Sequence, residues 1–259
     1  MDLNLAEKVF IVTGGSKGIG EAISRAIIDE GGFVMIASRS EQETRDLVAE
    51  FNRDRIKSHC LIGDLQDTLL CKKVIDETIK HFGKIDGLIN NAGLNDGASL
   101  EAGPVAFRNS LNVNLHHYYD LVHYALPYLK KSKGSIINIS SKVALTGQGG
   151  TSGYAAAKGA QLGLTREWAA DLLPYSIRVN AILPAEVMTP LYRKWLDTFD
   201  NPEEKEATII SKIPFEKRMT TSDEIAAMAV FLLSDKSGHT TGQFMIPDGG
   251  YVHLDRSLT

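Results

Sequence analysis

The sequence predicts an α/β protein built on a parallel sheet with helices on both faces. Three observations carry that expectation. Short β-branched runs alternate with longer amphipathic stretches along all 259 residues. A glycine-rich turn follows the first apolar run and opens the first amphipathic one. No linker, internal repeat or low-complexity segment divides the chain, so residues 1–259 are expected to form one doubly wound domain.

The elements follow in order. Residues 9–12, an unbroken apolar run, read as a buried strand. In 18–29, Ile19, Ala22, Ile23, Ala26 and Ile27 recur at helical spacing. Residues 33–37 read as a strand and 41–53 as a charged helix. Residues 57–62 are a third strand, 69–82 a third helix and 85–90 a fourth strand. A helical region spans 101–131, interrupted near 112–114. Residues 135–139 are a fifth strand, 153–173 a long helix and 177–182 a sixth strand. Residues 189–211 are polar and helical in part, 223–233 are helical, and 243–246 form a last short strand. Strand–helix–strand order implies right-handed crossovers, which lay helices over a parallel sheet. Residues 185–213 carry no strand and read as an insertion that covers a cleft.

Composition narrows the function. A net charge of -4 gives no footprint for nucleic acid or for an anionic membrane surface. The longest apolar run, 225–233, is too short to span a bilayer. The N-terminus lacks a basic start followed by an apolar core, so a cytoplasmic protein is expected. Cys60 and Cys71 lack metal-ligand spacing and read as free thiols of a reducing compartment. The neighbouring His116 and His117 face different ways on a helix and read as packing, so no metal is expected.

The turn is Thr13-Gly14-Gly15-Ser16-Lys17-Gly18-Ile19-Gly20. A diphosphate must approach backbone N–H groups at a helix N-terminus, so side chains must be absent there. Gly14, Gly18 and Gly20 meet that need. The second strand ends at Ser38-Arg39, where a carboxylate for the ribose hydroxyls of NAD would stand. Arginine can grip a 2′-phosphate bidentately, and Lys17 adds a second cation. NADP is therefore favoured, with NAD possible because Ser38 can also bond a ribose hydroxyl. The other reading is that Arg39 only pairs with Glu41 or Glu43 at the surface.

Three further motifs complete a pattern. Asn90-Asn91-Ala92-Gly93 ends the fourth strand, Ser141 follows the fifth, and Tyr154-Ala-Ala-Ala-Lys158 opens the long helix. Together with the glycine turn they resemble the short-chain dehydrogenase/reductase family from Val9 to Gly250. The resemblance implies a Rossmann-type sheet of seven strands and a homotetramer. It implies catalysis by Asn114, Ser141, Tyr154 and Lys158. It places Gly14, Ser16, Lys17, Gly18, Ile19 and Gly20 at the diphosphate. Asp64 and Leu65 fall at the adenine, Asn91, Ala92 and Gly93 along the nicotinamide ribose, and Pro184, Val187 and Thr189 at the carboxamide. The family usually carries Pro-Gly where this chain has Pro184-Ala185, and often a glycine near His117.

Tyr154 and Lys158 lie four apart, hence on one helix face. Free tyrosine and lysine ionise near pH of about 10 and 10.4. An adjacent ammonium is expected to favour the phenolate and lower the tyrosine value. Tyr154 then acts as base in oxidation or acid in reduction, Lys158 also holds the ribose, Ser141 positions the substrate oxygen, and Asn114 holds a water of a proton relay.

The residues after these motifs should line the cleft: Asn95, Asp96, Lys142, Thr146, Gln148 and Glu186, with Tyr192 and Trp195 from the insertion. They are rich in polar groups, which suits a sugar better than a steroid or acyl chain. Five stretches (93–96, 144–148, 164–168, 184–190 and 249–256) are similar to the bacterial L-fucose dehydrogenase subgroup of the family. That similarity implies oxidation of the anomeric hydroxyl of L-fucose or a related sugar such as D-arabinose. Asn95, Lys142, Gln148 and Glu186 are the expected hydroxyl ligands, with Tyr192 or Trp195 stacking on the ring. The alternatives are a carbonyl reductase of the same fold acting on acyl or steroid substrates, and an idle dinucleotide-binding sensor.

Overall fold

Strand β1 (Val9–Thr13) lies at the centre of a sheet that winds outward in both directions, and this sets the position of everything else. A computed structural model describes residues 2–55 and 57–254. On one side of β1 stand β2 (Phe33–Ser38) and then β3 (Ser58–Ile62). On the other stand β4 (Gly87–Asn90), β5 (Ser135–Ile139), β6 (Arg178–Ile182) and β7 (Phe244–Met245). The seven strands run in the order β3-β2-β1-β4-β5-β6-β7, and every pairing is parallel. The chain reverses its direction of winding between β1 and β4. A crevice therefore opens at the carboxyl ends of these strands, where ligands of such sheets bind.

The period-2 geometry of β1 shows how both faces are buried. Phe10 and Val12 point to one side and Ile11 to the other. The first side is covered by α1 (Gly18–Asp29), α2 (Glu41–Phe51) and α9 (Ser222–Leu233), with Ile23, Ile27, Leu47, Ile225 and Val230 in its core. The second is covered by α3 (Thr68–Phe82), α5 (His117–Ser132) and α6 (Ser152–Asp171), with Val74, Leu121, Ala125 and Trp168 against Ile11, Leu88 and Ile136. Each such side chain contributes about 1.5–3 kcal/mol of burial. Before α5 comes α4 (Gly103–Leu111). The stretch from β6 to α9 carries α7 (Pro190–Leu196) and α8 (Pro202–Ser211). No helix among the described residues is long and apolar enough to cross a membrane.

Several boundaries differ from the sequence reading, four of them for a visible local reason. α2 stops at Phe51 because Asn52 caps it, its Oδ1 accepting from the Lys57 and Ser58 amides at 2.8 Å. β4 begins only at Gly87, because the Asp86 carboxylate takes the Val9 N–H at 2.8 Å. α6 ends at Asp171 and passes into a 3₁₀ turn, Leu173–Tyr175, where Pro174 cannot continue an α-helix. The expected interruption near 112–114 is not a break. It is a π-helical turn, Asn112–His116, that joins α4 to α5 without leaving the helix. In the adjoining run, His117 and Tyr118 are buried and His116 and Tyr119 exposed, which agrees with packing.

Candidate active site

The glycine turn lies at the carboxyl end of β1. Gly14 (φ +60°) and Gly18 (φ +55°) adopt left-handed backbone that other residues resist. A Cβ on Gly20 would stand 2.1 Å from the Gly14 carbonyl oxygen, so no side chain fits where the turn folds back on α1. Lys17 caps α1 without a side-chain bond, which leaves the first N–H groups of the helix facing the crevice. A Cβ on Gly18 would also meet Thr189 Cγ2 at 3.0 Å, so Thr189 leans over the turn. Ile19 packs into the core beneath it. This bare cradle at a helix N-terminus fits a dinucleotide diphosphate.

At the ends of β2 and β3 the expected cofactor residues assemble. The Ser16 and Ser38 hydroxyls are buried and 2.9 Å apart. Lys17 is paired with Glu43 at 2.6 Å, and Arg39 reaches Asp64 at 3.8 Å rather than Glu41 or Glu43. Leu65 is buried behind Asp64. At the end of β4, the Asn91 side chain donates to the Thr13 and Gly14 carbonyls at 2.8 and 3.3 Å, and Ala92 N–H donates to Thr13 Oγ1. The Asn91 amide thus braces the glycine turn, and Gly93 beyond it is exposed. Pro184 and Val187 are buried past β6, the Pro184 carbonyl accepting from Lys142 N–H.

The four expected catalytic residues come from three elements. The π turn carries Asn114, the end of β5 leads to Ser141, and the first two turns of α6 present Tyr154 and Lys158. A ladder of side chains sets α6 against the sheet: Asn90 donates to Asn138 at 3.0 Å, Asn138 to Thr165 at 2.9 Å, and Thr165 to the Gln161 carbonyl at 2.7 Å. Asn114 is fully buried, accepting from Leu94 N–H at 2.8 Å and donating to the Ser110 carbonyl at 3.0 Å.

Ionisation departs from the sequence expectation. Desolvation pushes the partly covered Tyr154 phenol up to about 12, opposed by a hydrogen bond from Ser141. Lys158 Nζ stands 5.5 Å from the centre of its ring. That ammonium donates to the Ile139 carbonyl at 2.7 Å and lies within 3.4 Å of both Tyr118 Oη and Gln161 Oε1. Burial alone holds Lys158 down at about 7. The two groups share a helix face, as their spacing requires, but the ammonium is captured from behind.

On the substrate side, three expected residues form one cluster. The Lys142 ammonium pairs with Glu186 Oε1, and Glu186 Oε2 accepts from Tyr192 Oη at 2.7 Å. Burial, then the Glu186 charge, push the Tyr192 phenol upward. Trp195 meets Tyr192 edge-on at 5.2 Å and is otherwise exposed. Asn95 is exposed and accepts from Thr151 Oγ1 at 2.5 Å, and Asp96 accepts from Ser110 at 2.9 Å. Thr146 bonds back to the Lys142 carbonyl. Gln148 lies exposed in the loop before α6, outside the cluster's hydrogen bonds.

Three residues at the site escaped the sequence reading. Gln161 is fully buried, its Nε2 donating to the Asn114 carbonyl at 2.8 Å while its Oε1 faces Lys158. Its position three residues after Lys158 on one helix face was the available signal. Tyr118 packs behind Lys158. Tyr251 lays its ring 4.1 Å from the Lys142 ammonium, bringing the segment after β7 to the cleft. Residues 255 and 256 of the 249–256 stretch lie outside the described residues.

Comparisons with known proteins give the same architecture. A family model described as enoyl-(acyl carrier protein) reductase matches residues 14–252. The L-fucose dehydrogenase of Mus musculus is 38% identical over 256 residues, covering 97% of this chain and 91% of its own. The 3-oxoacyl-(acyl-carrier-protein) reductase FabG of Thermotoga maritima is 33% identical over 252 residues, covering 96% of this chain and 100% of its own. The crystal structure of Cj0485 dehydrogenase superimposes with a TM-score of 0.94 at 46% identity, over 100% of this chain and 99% of that one.

Proposed function

The chain belongs to the short-chain dehydrogenase/reductase family of NAD(P)-dependent oxidoreductases, and from that premise we propose that it oxidises the anomeric hydroxyl of an aldose, L-fucose or a related sugar, to the lactone. The observation that carries the reading is the Lys142–Glu186–Tyr192 cluster, which begins one residue after Ser141. Charged and hydroxyl groups held at fixed positions beside the reacting centre favour a polyol, because a site built for hydroxyls rejects molecules that lack them. An acyl chain would cover these polar groups while offering no hydrogen bond beyond those they make to one another. The identity to the mouse L-fucose dehydrogenase supports the same sugar.

In this proposal Tyr154 takes the proton of the anomeric hydroxyl as hydride leaves C1. Before substrate binds, Ser141 gives its one hydroxyl hydrogen to the Tyr154 oxygen and favours the phenolate, and with substrate in place it turns that hydrogen to the substrate oxygen. Lys158 holds the nicotinamide ribose. Tyr154 sits in the first turn of α6, where the helix dipole also favours negative charge. The bound nicotinamide supplies the hydride acceptor and a positive charge near the phenol. Gln161 holds Lys158 from behind, and the Asn114 carbonyl anchors Gln161. A homotetramer belongs to the same proposal.

The test is an initial-rate panel of L-fucose, D-arabinose and other aldoses against an acetoacetyl thioester, with NAD and NADP in parallel. Turnover of the thioester in preference to every aldose would reject the proposal in favour of a ketoreductase. Glu186→Gln is expected to raise KM for the sugar by about tenfold with little change in kcat, the loss of one charge-assisted hydrogen bond. An unchanged sugar KM would remove Glu186 from the site.

NADP is the proposed preference, and Arg39 its basis. Its pairing with Asp64 is long and exposed, so it costs little to break when a 2′-phosphate binds. Lys17 is already neutralised by Glu43. Arg39→Ala is expected to raise KM for NADP by about 10–100-fold while leaving NAD nearly unaffected, as loss of a charged contact to phosphate implies. Equal effects on both would show that Arg39 does not discriminate.

Gln161 is proposed as a positioning residue. Gln161→Leu removes the donor to Asn114 and an acceptor from Lys158. It is expected to lower kcat by about tenfold, the upper range for one lost hydrogen bond. It should also move the pH–rate profile to higher pH, because an ammonium with fewer acceptors loses its proton sooner and then no longer favours the Tyr154 phenolate. A lower melting temperature with an unmoved profile would mark the role as structural only.

A further inference from the structure

We propose that His59, Glu77 and His81 form a binding site for a zinc-type divalent transition ion, which ties edge strand β3 to the end of α3. The three residues come from two elements: His59 is the second residue of β3, and Glu77 and His81 lie four apart near the C-terminus of α3. That places them toward the amino ends of the strands, at the opposite end of the sheet from the cofactor crevice. Nothing in the dehydrogenase reaction needs them there.

The geometry is close to that of a ligand set. One ligand atom from each side chain can be chosen so that all lie within 4.8 Å of one another. His81 Nε2 and Glu77 Oε2 are 3.4 Å apart. Two donors each at about 2.0–2.1 Å from zinc, at a tetrahedral angle, stand about 3.4 Å from each other. That pair is therefore already spaced, and His59 needs only a side-chain rotation to complete three ligands, leaving the fourth position to water.

The histidine rings support the reading. Their centroids lie 3.7 Å apart at 31°, nearer than aromatic rings stand when packing alone decides. Lys80 donates to the Glu77 carboxylate at 3.0 Å. Lys80 is the competitor for this carboxylate, and as an exposed surface partner it gives way at little cost. Two nitrogens and one carboxylate suit zinc rather than magnesium or calcium, which prefer sets made of oxygen. The sequence hid the site because its ligands are split between a strand and a helix.

The experiment is a titration of chelator-stripped full-length protein with ZnSO4, by calorimetry and by thermal melting, with MgCl2 as control. One equivalent of zinc is expected to bind and raise the melting temperature, while magnesium does neither. His59→Ala and His81→Ala should each weaken zinc by no less than the about 10–100-fold that losses around metal ligands cost, while dinucleotide binding stays intact and reports a folded protein. Glu77→Gln should weaken it in the same direction. Absence of binding would overturn the proposal. So would undiminished binding in both histidine variants, which would move the metal to His116, His117, His123, His239 or His253. Co²⁺ added to the unmodified protein gives a reading that needs no variant: intense visible bands of a tetrahedral site support the proposal, and the pale spectrum of free Co²⁺ rejects it.

Discussion

Tyr154→Phe is expected to lower kcat for sugar oxidation by about 10³-fold while leaving dinucleotide affinity and melting temperature nearly unchanged. General acid–base groups contribute about 10²–10⁴-fold, and no other hydroxyl acid or base in the site stands on the same helix face as Lys158. Removing one oxygen from a ring that stays packed disturbs little else. The pH dependence follows from the direction of the shift. Without ligand the phenol is held up at about 12, so the oxidising, phenolate form is scarce near neutrality. Oxidation is therefore expected to accelerate as pH rises through the neutral range, whereas carbonyl reduction, which uses the protonated phenol, stays level there. Tyr154→Phe should abolish the rise. A variant that keeps the parent rate, or the parent pH slope, would show that another group moves the proton.

The second large effect is a trade of stability for activity at Lys158. The ammonium is buried with no carboxylate among its hydrogen-bond partners, and burial holds it at about 7 against an ordinary 10.5. At 1.36 kcal/mol per unit, keeping it charged costs on the order of 5 kcal/mol in the unliganded protein. The sign is fixed by proton counting. Between about pH 7 and 10.5 the unfolded chain binds more protons at this site, so native stability rises with pH there. Below about 7 the full cost is present. Lys158→Met removes it but leaves the Ile139 carbonyl without its donor, a loss of about 1–3 kcal/mol. The net expectation is a gain of about 2 kcal/mol at pH 7 or below, which is several degrees in melting temperature. The gain should shrink and reverse toward pH 10, and activity should be lost throughout. If the variant melts lower than the parent at pH 6, the charge is not the burden described.

Much of the architecture was legible before any coordinates. Val9 to Val12 and Phe33 to Ala37 are apolar on both faces, which a sheet covered twice accepts. The glycine turn and the tetrad were readable because their chemistry demands particular residue types at particular offsets. What stayed hidden were the partners. Spacing showed that Tyr154 and Lys158 share a face, yet not that Ile139, Tyr118 and Gln161 hold the ammonium back from the phenol. Spacing named Lys142, Glu186 and Tyr192 as single candidates but could not show them bonded to one another. Nor did spacing show that the Asn91 amide bonds two carbonyls of the glycine turn. Such contacts join different elements, save for Gln161, which lies three residues from Lys158 on one helix.

The π-helical turn at Asn112–His116 has a consequence for how this chain tolerates change. A helix with one residue too many per turn is always one deletion away from being regular. Losing any single position there would tidy the backbone yet swing α4 by about 100° relative to α5, turning Ser110 and the Asn114 carbonyl off their partners. Evolution can therefore exchange side chains in this pentad other than that of Asn114 but cannot shorten it, and an alignment that opens a gap across it is misplaced.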